Sequence, residues 1–122
     1  MQRECLYCGM PATLPALQIE DLPPGCQCLK CDGNLYGQTD GSCLNVDVAH
    51  QGETLSQAME KLDRALLAAW DGYSRELRLI TGSGAIRREV LGQLEYYRQQ
   101  HYLRAYAEDS PNRGAILVRI RE

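Results

Sequence analysis

Two closely spaced cysteine pairs, Cys5-Leu-Tyr-Cys8 and Cys28-Leu-Lys-Cys31, place the strongest constraint on how this chain can fold. A C-x2-C pair turns tightly enough to present two thiolates to one ion, and a second pair completes the tetrahedral four-sulfur shell that Zn2+ prefers. The nineteen residues between the pairs match the spacing of a zinc ribbon. The expected ligands are therefore Cys5, Cys8, Cys28 and Cys31, holding a structural Zn2+. A closed shell of this kind leaves no position for water, so it is expected to hold a small coreless segment together and not to hydrolyse a substrate.

Six cysteines without a signal peptide fit a reducing cytosol, and hence a cytoplasmic protein, better than a disulfide framework. Buried free thiols are the plainer alternative. Cys26 makes the second cluster C-x-C-x-x-C and is an alternative ligand to Cys28. Cys43, twelve residues beyond the last knuckle, reads as a spare thiol or a buried small hydrophobe. No apolar run approaches the ~20 residues of a membrane span, so a soluble protein is expected.

Charge divides the chain unevenly. Residues 1–43 carry two basic and five acidic side chains, whereas 44–122 carry eleven of each. From residue 79 onward every cation is Arg, seven against five acids. Guanidinium groups fork onto phosphate and stack on bases, so a local basic face is compatible with a neutral domain; a mixed solvated surface accounts equally well for the counts.

The residues before 44 read as loops, because Pro11, Pro15, Pro23, Pro24 and the following glycines break any helical period, leaving at most a short strand at Leu17 and Ile19. Beyond them, Leu44, Val46 and Val48 alternate with polar residues as a strand does. Thr54 offers a helix N-cap with Gln57 at the capping-box position. Leu55, Met59, Leu62, Leu66 and Trp70 then recur at helical spacing, which predicts a helix from 55 to about 71, stopped by Gly72. Arg75 to Thr81 reads as a second strand, leading through Thr81-Gly82-Ser83-Gly84 into a helix with an apolar stripe of Ile86, Val90, Leu94 and Tyr97. A third strand is expected at about 102–107. A turn through Asp109, Ser110, Pro111, Asn112 and Gly114 leads to a fourth, with Ile116, Val118 and Ile120 on one face.

The predicted fold is α+β: a two-layer βαβαββ sandwich of a four-stranded mixed sheet and two helices, spanning 44–122, preceded by a zinc-ribbon-like segment at 1–43. Strands one and two should be parallel, strands three and four an antiparallel hairpin, and both helices should cover one face. The apolar stripes, Trp70 and the tyrosines are assigned to packing.

Ligands of such sheets collect beyond the carboxyl ends of the parallel strands. Here these ends are Asp47-Val48-Ala49-His50-Gln51-Gly52 and the glycine turn, whose backbone amides at a helix start can receive an anion. Arg87 and Arg88 follow in the first helical turn, where a cation is useful if a phosphate arrives. A plain tight turn needing glycine would look the same.

The element order, the acidic end of strand one with its His and Gly, and above all the run Leu77-Arg78-Leu79-Ile80-Thr81-Gly82-Ser83-Gly84-Ala85-Ile86-Arg87 resemble the Smr (small MutS-related) domain over residues 44–122. This resemblance implies nucleic-acid binding, RNA or DNA, with DNA-nicking or RNA-cleaving endonuclease activity in some members. By position, Gly82 and Gly84 match the turn glycines, and Thr81, Ser83, Arg87 and Arg88 complete the phosphate-binding set. Thr81 stands where many members have His. Members commonly read L-D-L-H-G, whereas Asp47 and His50 here are three apart, so they share a side only if the chain leaves strand geometry after Val48. In that case Asp47 orients His50 as a proton acceptor for a 2'-hydroxyl while the turn amides and Arg87 hold the phosphate. Otherwise His50 is a loop or capping residue and Asp47 a surface carboxylate. A non-catalytic RNA-, ribonucleoprotein- or protein-binding module with a structural zinc is the alternative, the acidic metal segment being suited to protein docking more than to gripping nucleic acid.

Overall fold

The computed structural model describes residues 2–49, 52–82, 84–109 and 114–121. In chain order they form β1 (Gln2–Glu4), β2 (Pro11–Thr13), a single 3-10 turn (Ile19–Asp21), β3 (Cys43–Asp47), α1 (Leu55–Asp71), β4 (Glu76–Ile80), α2 (Ala85–Gln99), β5 (Ala105–Glu108) and β6 (Ala115–Arg119). The first two strands form an antiparallel ribbon, and the other four a mixed sheet ordered β3-β4-β6-β5. β3 and β4 are parallel, pairing Leu44 with Leu77 and Asp47 with Ile80, whereas β6 runs antiparallel to both of its neighbours. The fold is thus the expected α+β arrangement of two helices on a four-stranded mixed sheet.

The alternation of strand side chains explains the layering. Leu77 and Leu79 of β4 sit opposite Val118 and Ile116 of β6, and all four are buried with Leu62 and Leu66 of α1 and Val90 and Leu94 of α2. Each Leu or Ile removed from water in this way contributes about 1.5–3 kcal/mol. Thr54 caps α1 through a complete capping box with Gln57. The two helices are joined by the Tyr97 hydroxyl, which donates to Asp63 at 2.5 Å.

Several expectations need correction. Leu17 and Ile19 form no strand; Ile19 opens the 3-10 turn, and the ribbon strands lie at the knuckle flanks instead. The third strand of the sheet begins at Ala105, not 102, because His101 adopts φ 64° and Tyr102 donates its N–H back to Tyr97, so these residues close α2. Leu55 is exposed, as are Tyr7 and Tyr96, so these three are not core. Cys43 is exposed on the edge strand β3 and is a spare thiol, not a buried hydrophobe. Ser110, Pro111 and Asn112 of the expected turn lie outside the described residues.

The N-terminal segment is packed into the same core, to which it gives Leu22 and Tyr36. Its strongest attachment is polar. The last turn of α1 has no basic residue of its own to meet its unsatisfied carbonyls. Two arginines from distant parts of the chain supply the donors. Arg121 donates to the carbonyls of Ala69, Trp70 and Gly72 on one side and of Tyr36 and Gln38 on the other. Arg3 donates to the carbonyls of Asp71, Gly72 and Leu35, and its guanidinium stacks between Tyr36 and Tyr73, 4.7 and 4.2 Å from their ring centres. Burial, aided by the neighbouring Arg3 and opposed by Asp40, lowers the pKa of Arg121 to about 10, so it remains charged at neutral pH.

Removing Arg121 would strand several buried carbonyls at once. Arg121→Ala is expected to destabilise the chain by about 3 kcal/mol or more, read as a fall in the urea midpoint, while Arg88→Ala on the exposed side of α2 leaves the midpoint nearly unchanged.

Candidate nucleic-acid interface and metal centre

The two knuckles are built alike. In the first, Gly9 donates to the Cys5 carbonyl with φ 76°, and in the second Asp32 donates to the Cys28 carbonyl with φ 61°. This left-handed fifth residue curls each pair so that both sulfurs face inward. The Sγ atoms of Cys5, Cys8, Cys28 and Cys31 all lie within 4.8 Å of one another, with the Cys5–Cys31 and Cys8–Cys28 pairs at 3.6 Å. Four bonds of about 2.3 Å to a tetrahedral ion need sulfurs about 3.8 Å apart. The four sulfurs therefore suit one shared metal ion. Cys26 lies outside this group and packs against the apolar clusters, so it does not take the place of Cys28.

Gln38, itself buried, donates its amide N–H to the Cys5 sulfur at 3.3 Å and accepts from the Leu6 N–H. Burial raises the Cys5 pKa, but N–H groups of Cys8, Gln38 and Tyr7 outweigh it and hold the thiol at about 6. The Gly33 N–H pulls Cys31 down, yet desolvation and the three neighbouring sulfurs drive it to about 12. Cys8 is likewise raised, despite the Met10 N–H, by desolvation and by Cys28 and Cys5. Cys28 is lowered by the N–H groups of Cys31 and Lys30, so two sulfurs favour the thiolate while Cys8 and Cys31 must lose protons to a metal.

At the far end of the sheet, the parallel register sets the ends of β3 and β4 side by side, and the Val48 N–H continues the ladder onto the Ile80 carbonyl. β3 stops at Asp47, whose Oδ1 accepts from the Ala49 N–H at 3.0 Å, so the chain bends away from strand geometry immediately after the carboxylate. That bend is the condition the Asp47 and His50 spacing requires; His50 itself lies outside the described residues, as does Ser83. Across from it, Thr81 is buried. Its N–H donates to the Gly114 carbonyl at 2.7 Å and its hydroxyl lies within reach of the Gly82 and Gly114 carbonyls, so Thr81 anchors the turn and presents no group to solvent. Gly82 has φ 67°, a backbone conformation costly for any residue with a Cβ.

Between these ends lies an open groove of about 440 Å3 lined by Ala49, Glu53, Leu55, Gly82, Gly84 and Ile86, with the buried Thr81 beneath. Gly84 caps α2 with no side-chain hydrogen bond, and no acid occupies the first turn, so the helix presents its positive end here. Arg88 is exposed. Arg87 is not free for a ligand in this arrangement, because its guanidinium pairs with Glu108 of β5. Glu53 was not singled out by the sequence, and Leu55 only as part of the helix stripe. Glu53 is held 2.5 Å from Lys61, which neutralises it, and its position immediately before the Thr54 cap was the only hint that it faces the groove.

No protein-family model and no curated protein matches the chain. Among solved structures, the Smr domain of MutS2 from Thermus thermophilus matches with a TM-score of 0.56 and 25% identity, covering 65% of this chain and 99% of that one. The chain contains an Smr-like domain. The likeness takes in nearly the whole of that domain and about two thirds of this chain. In the Smr-like domain described here, Gly82 and Gly84 line the groove over the buried Thr81, Asp47 ends β3 beside the end of β4, Arg88 is exposed on α2, and Arg87 is directed to β5.

Two outcomes follow from this geometry. Gly82→Ala has room for its methyl but not the backbone conformation, and is expected to cost about 1 kcal/mol in a denaturant titration. Metal uptake by the metal-free chain should release protons, so apparent affinity rises with pH through and above neutrality; competition with a chromophoric chelator at a series of pH values measures it, and a flat profile contradicts the four-thiolate shell.

Proposed function

We propose that this chain is a nucleic-acid-binding protein of the Smr type, in which residues 44–122 dock a phosphate backbone at the glycine turn and residues 1–43 form a zinc ribbon with a structural role. The observation that carries the reading is the shared rim. Parallel pairing brings the end of β3 beside the turn after β4, and the uncapped start of α2 opens into the groove between them. Amides there suit an anion, Arg88 adds a cation in reach of solvent, and Lys61 pairs with Glu53, the carboxylate that lines the groove among the described residues. Zn2+ is the ion that four thiolates at this spacing suit best, and its shell supports the fold without chemistry of its own.

Endonuclease activity is the second reading, and one feature favours it. The chain leaves strand geometry between Asp47 and Ala49, as cooperation of Asp47 with His50 would need. Asp47 would then orient His50, and His50 would take the proton of an attacking hydroxyl. Thr81, being buried, has no part in proton transfer, and Arg87 would have to leave Glu108 before it met a phosphate.

A titration of the zinc-loaded chain with structured RNA, single-stranded RNA and duplex DNA at two salt concentrations, followed on a denaturing gel, tests both readings. Arg88→Ala is expected to weaken binding and to reduce the salt slope by about 0.7–0.9. His50→Ala should abolish cleavage with affinity retained if the chain cuts. Binding of wild-type protein that is insensitive to salt, or absent for all three ligands, contradicts the nucleic-acid reading.

A further inference from the structure

The metal-binding segment turns one side to the core of the sheet, through Arg3, Leu22 and Tyr36, and leaves its knuckle tips in solvent. Three large apolar side chains stand exposed there, Leu6 at 44%, Tyr7 at 70% and Leu29 at 92%, and all three lie between paired cysteines. The four cysteines turn inward to one ion, so the residues between each pair point away from it. Metal binding does not require those residues to be apolar. The Tyr7 ring lies across Gly33, so close that a Cβ there would come within 2.7 Å of it, and the first tip therefore rests on the second knuckle.

An apolar groove of about 280 Å3 opens beside Leu29, between residues 10–14, which include β2, and residues 26–29. Leu35 and Cys28, both buried, lie beneath it, and Met10, Ala12 and Leu14 line one wall. No charged side chain lines it among the described residues. Around it the charge has one sign. Glu4, Glu20, Asp21, Asp32 and Asp40 are all exposed, whereas of the two cations in residues 1–43 Arg3 is buried and only Lys30 reaches solvent. Two of these acids belong to the groove's own framework: Glu4 lies opposite Pro11 in the β1–β2 ribbon, and Asp32 closes the knuckle that carries Leu29. Four thiolates on a divalent ion add about two further negative charges.

We infer that this groove docks an extended segment of a partner protein in which a large apolar side chain is flanked by Lys or Arg. The apolar side chain enters the groove against Leu29 and Leu35, and the cations meet Glu4 and Asp32. Charge selects this occupant over the others. A face of this sign repels a phosphate backbone or an anionic lipid surface, and a second copy of the chain seated on the same face would set acid against acid. The site lies on the metal-binding segment and does not depend on the nucleic-acid reading of the glycine turn.

The experiment is a display selection of random short peptides on the full zinc-loaded chain, counter-selected on Leu29→Asp, with the enriched peptides then synthesised and titrated by fluorescence anisotropy. Because Leu29 is almost fully exposed, Leu29→Asp is expected to keep the urea midpoint and the metal. The enriched peptides should share a Leu, Met, Phe or Trp beside Lys or Arg, bind the wild type saturably, and bind Leu29→Asp about tenfold more weakly or worse. Glu4→Lys should weaken the same peptides and flatten the salt dependence of their binding. No enrichment over Leu29→Asp, enriched peptides that lack basic residues, or peptides that bind both variants as tightly as the wild type would overturn the proposal. So would self-association of the wild type that Leu29→Asp abolishes in sedimentation, which assigns the face to a second copy, or a loss of single-stranded RNA affinity in Leu29→Asp, which assigns it to nucleic acid.

Discussion

The C-terminal end of α1 is where the structure is held together. A helix that ends inside a protein leaves carbonyls that must find donors, and here those donors arrive on Arg3 and Arg121, from β1 and from beyond β6. Two buried cations near one another would be costly if they faced only each other. They are tolerated because the partial negative charge at the helix end and the ring faces of Tyr36, Tyr73 and Trp70 surround them. The same contacts hold the metal-binding segment in place, since Arg3 also reaches Leu35 and Arg121 reaches Tyr36 and Gln38.

Gln38 extends this connection to the sulfur cluster. Its backbone carbonyl accepts from Arg121 while its side chain contacts Cys5 and Leu6. A chain of direct contacts therefore runs from the metal ligands to the end of α1. The Smr-like rim, by contrast, is supported separately, by Thr81 on Gly114 and by Arg87 on Glu108, so the two ends of the sheet carry different chemistry on independent foundations.

Much of this was legible in the sequence where a period or a spacing carried the information. Leu62 and Leu66, Leu77 and Leu79, and Ile116 and Val118 repeat at helical or strand intervals and are all buried, and the four metal-site cysteines are those the knuckles indicated. β1 and β2 were not legible, because three residues each, one of them Pro11, contain no period. Leu55 fits the α1 stripe but lies in its first turn, beyond the reach of the sheet, and so faces the groove. The buried arginines could not be told from surface ones, since what separates Arg121 from Arg119 is the end of a strand and not a motif. The pairing of Arg87 was not legible, because its partner, Glu108, lies on a strand twenty-one residues away.

The arginine pair also bears on how the chain reaches its native state. Arg3 and Arg121 meet at one helix end although nearly the entire described sequence separates them, so that junction is among the least local contacts of the fold. Closing so large a loop is entropically late work. The sulfur cluster, whose ligands span residues 5 to 31, closes a much shorter one and can form early. The N-terminal segment thereby has a local anchor of its own beside its docking onto the end of α1.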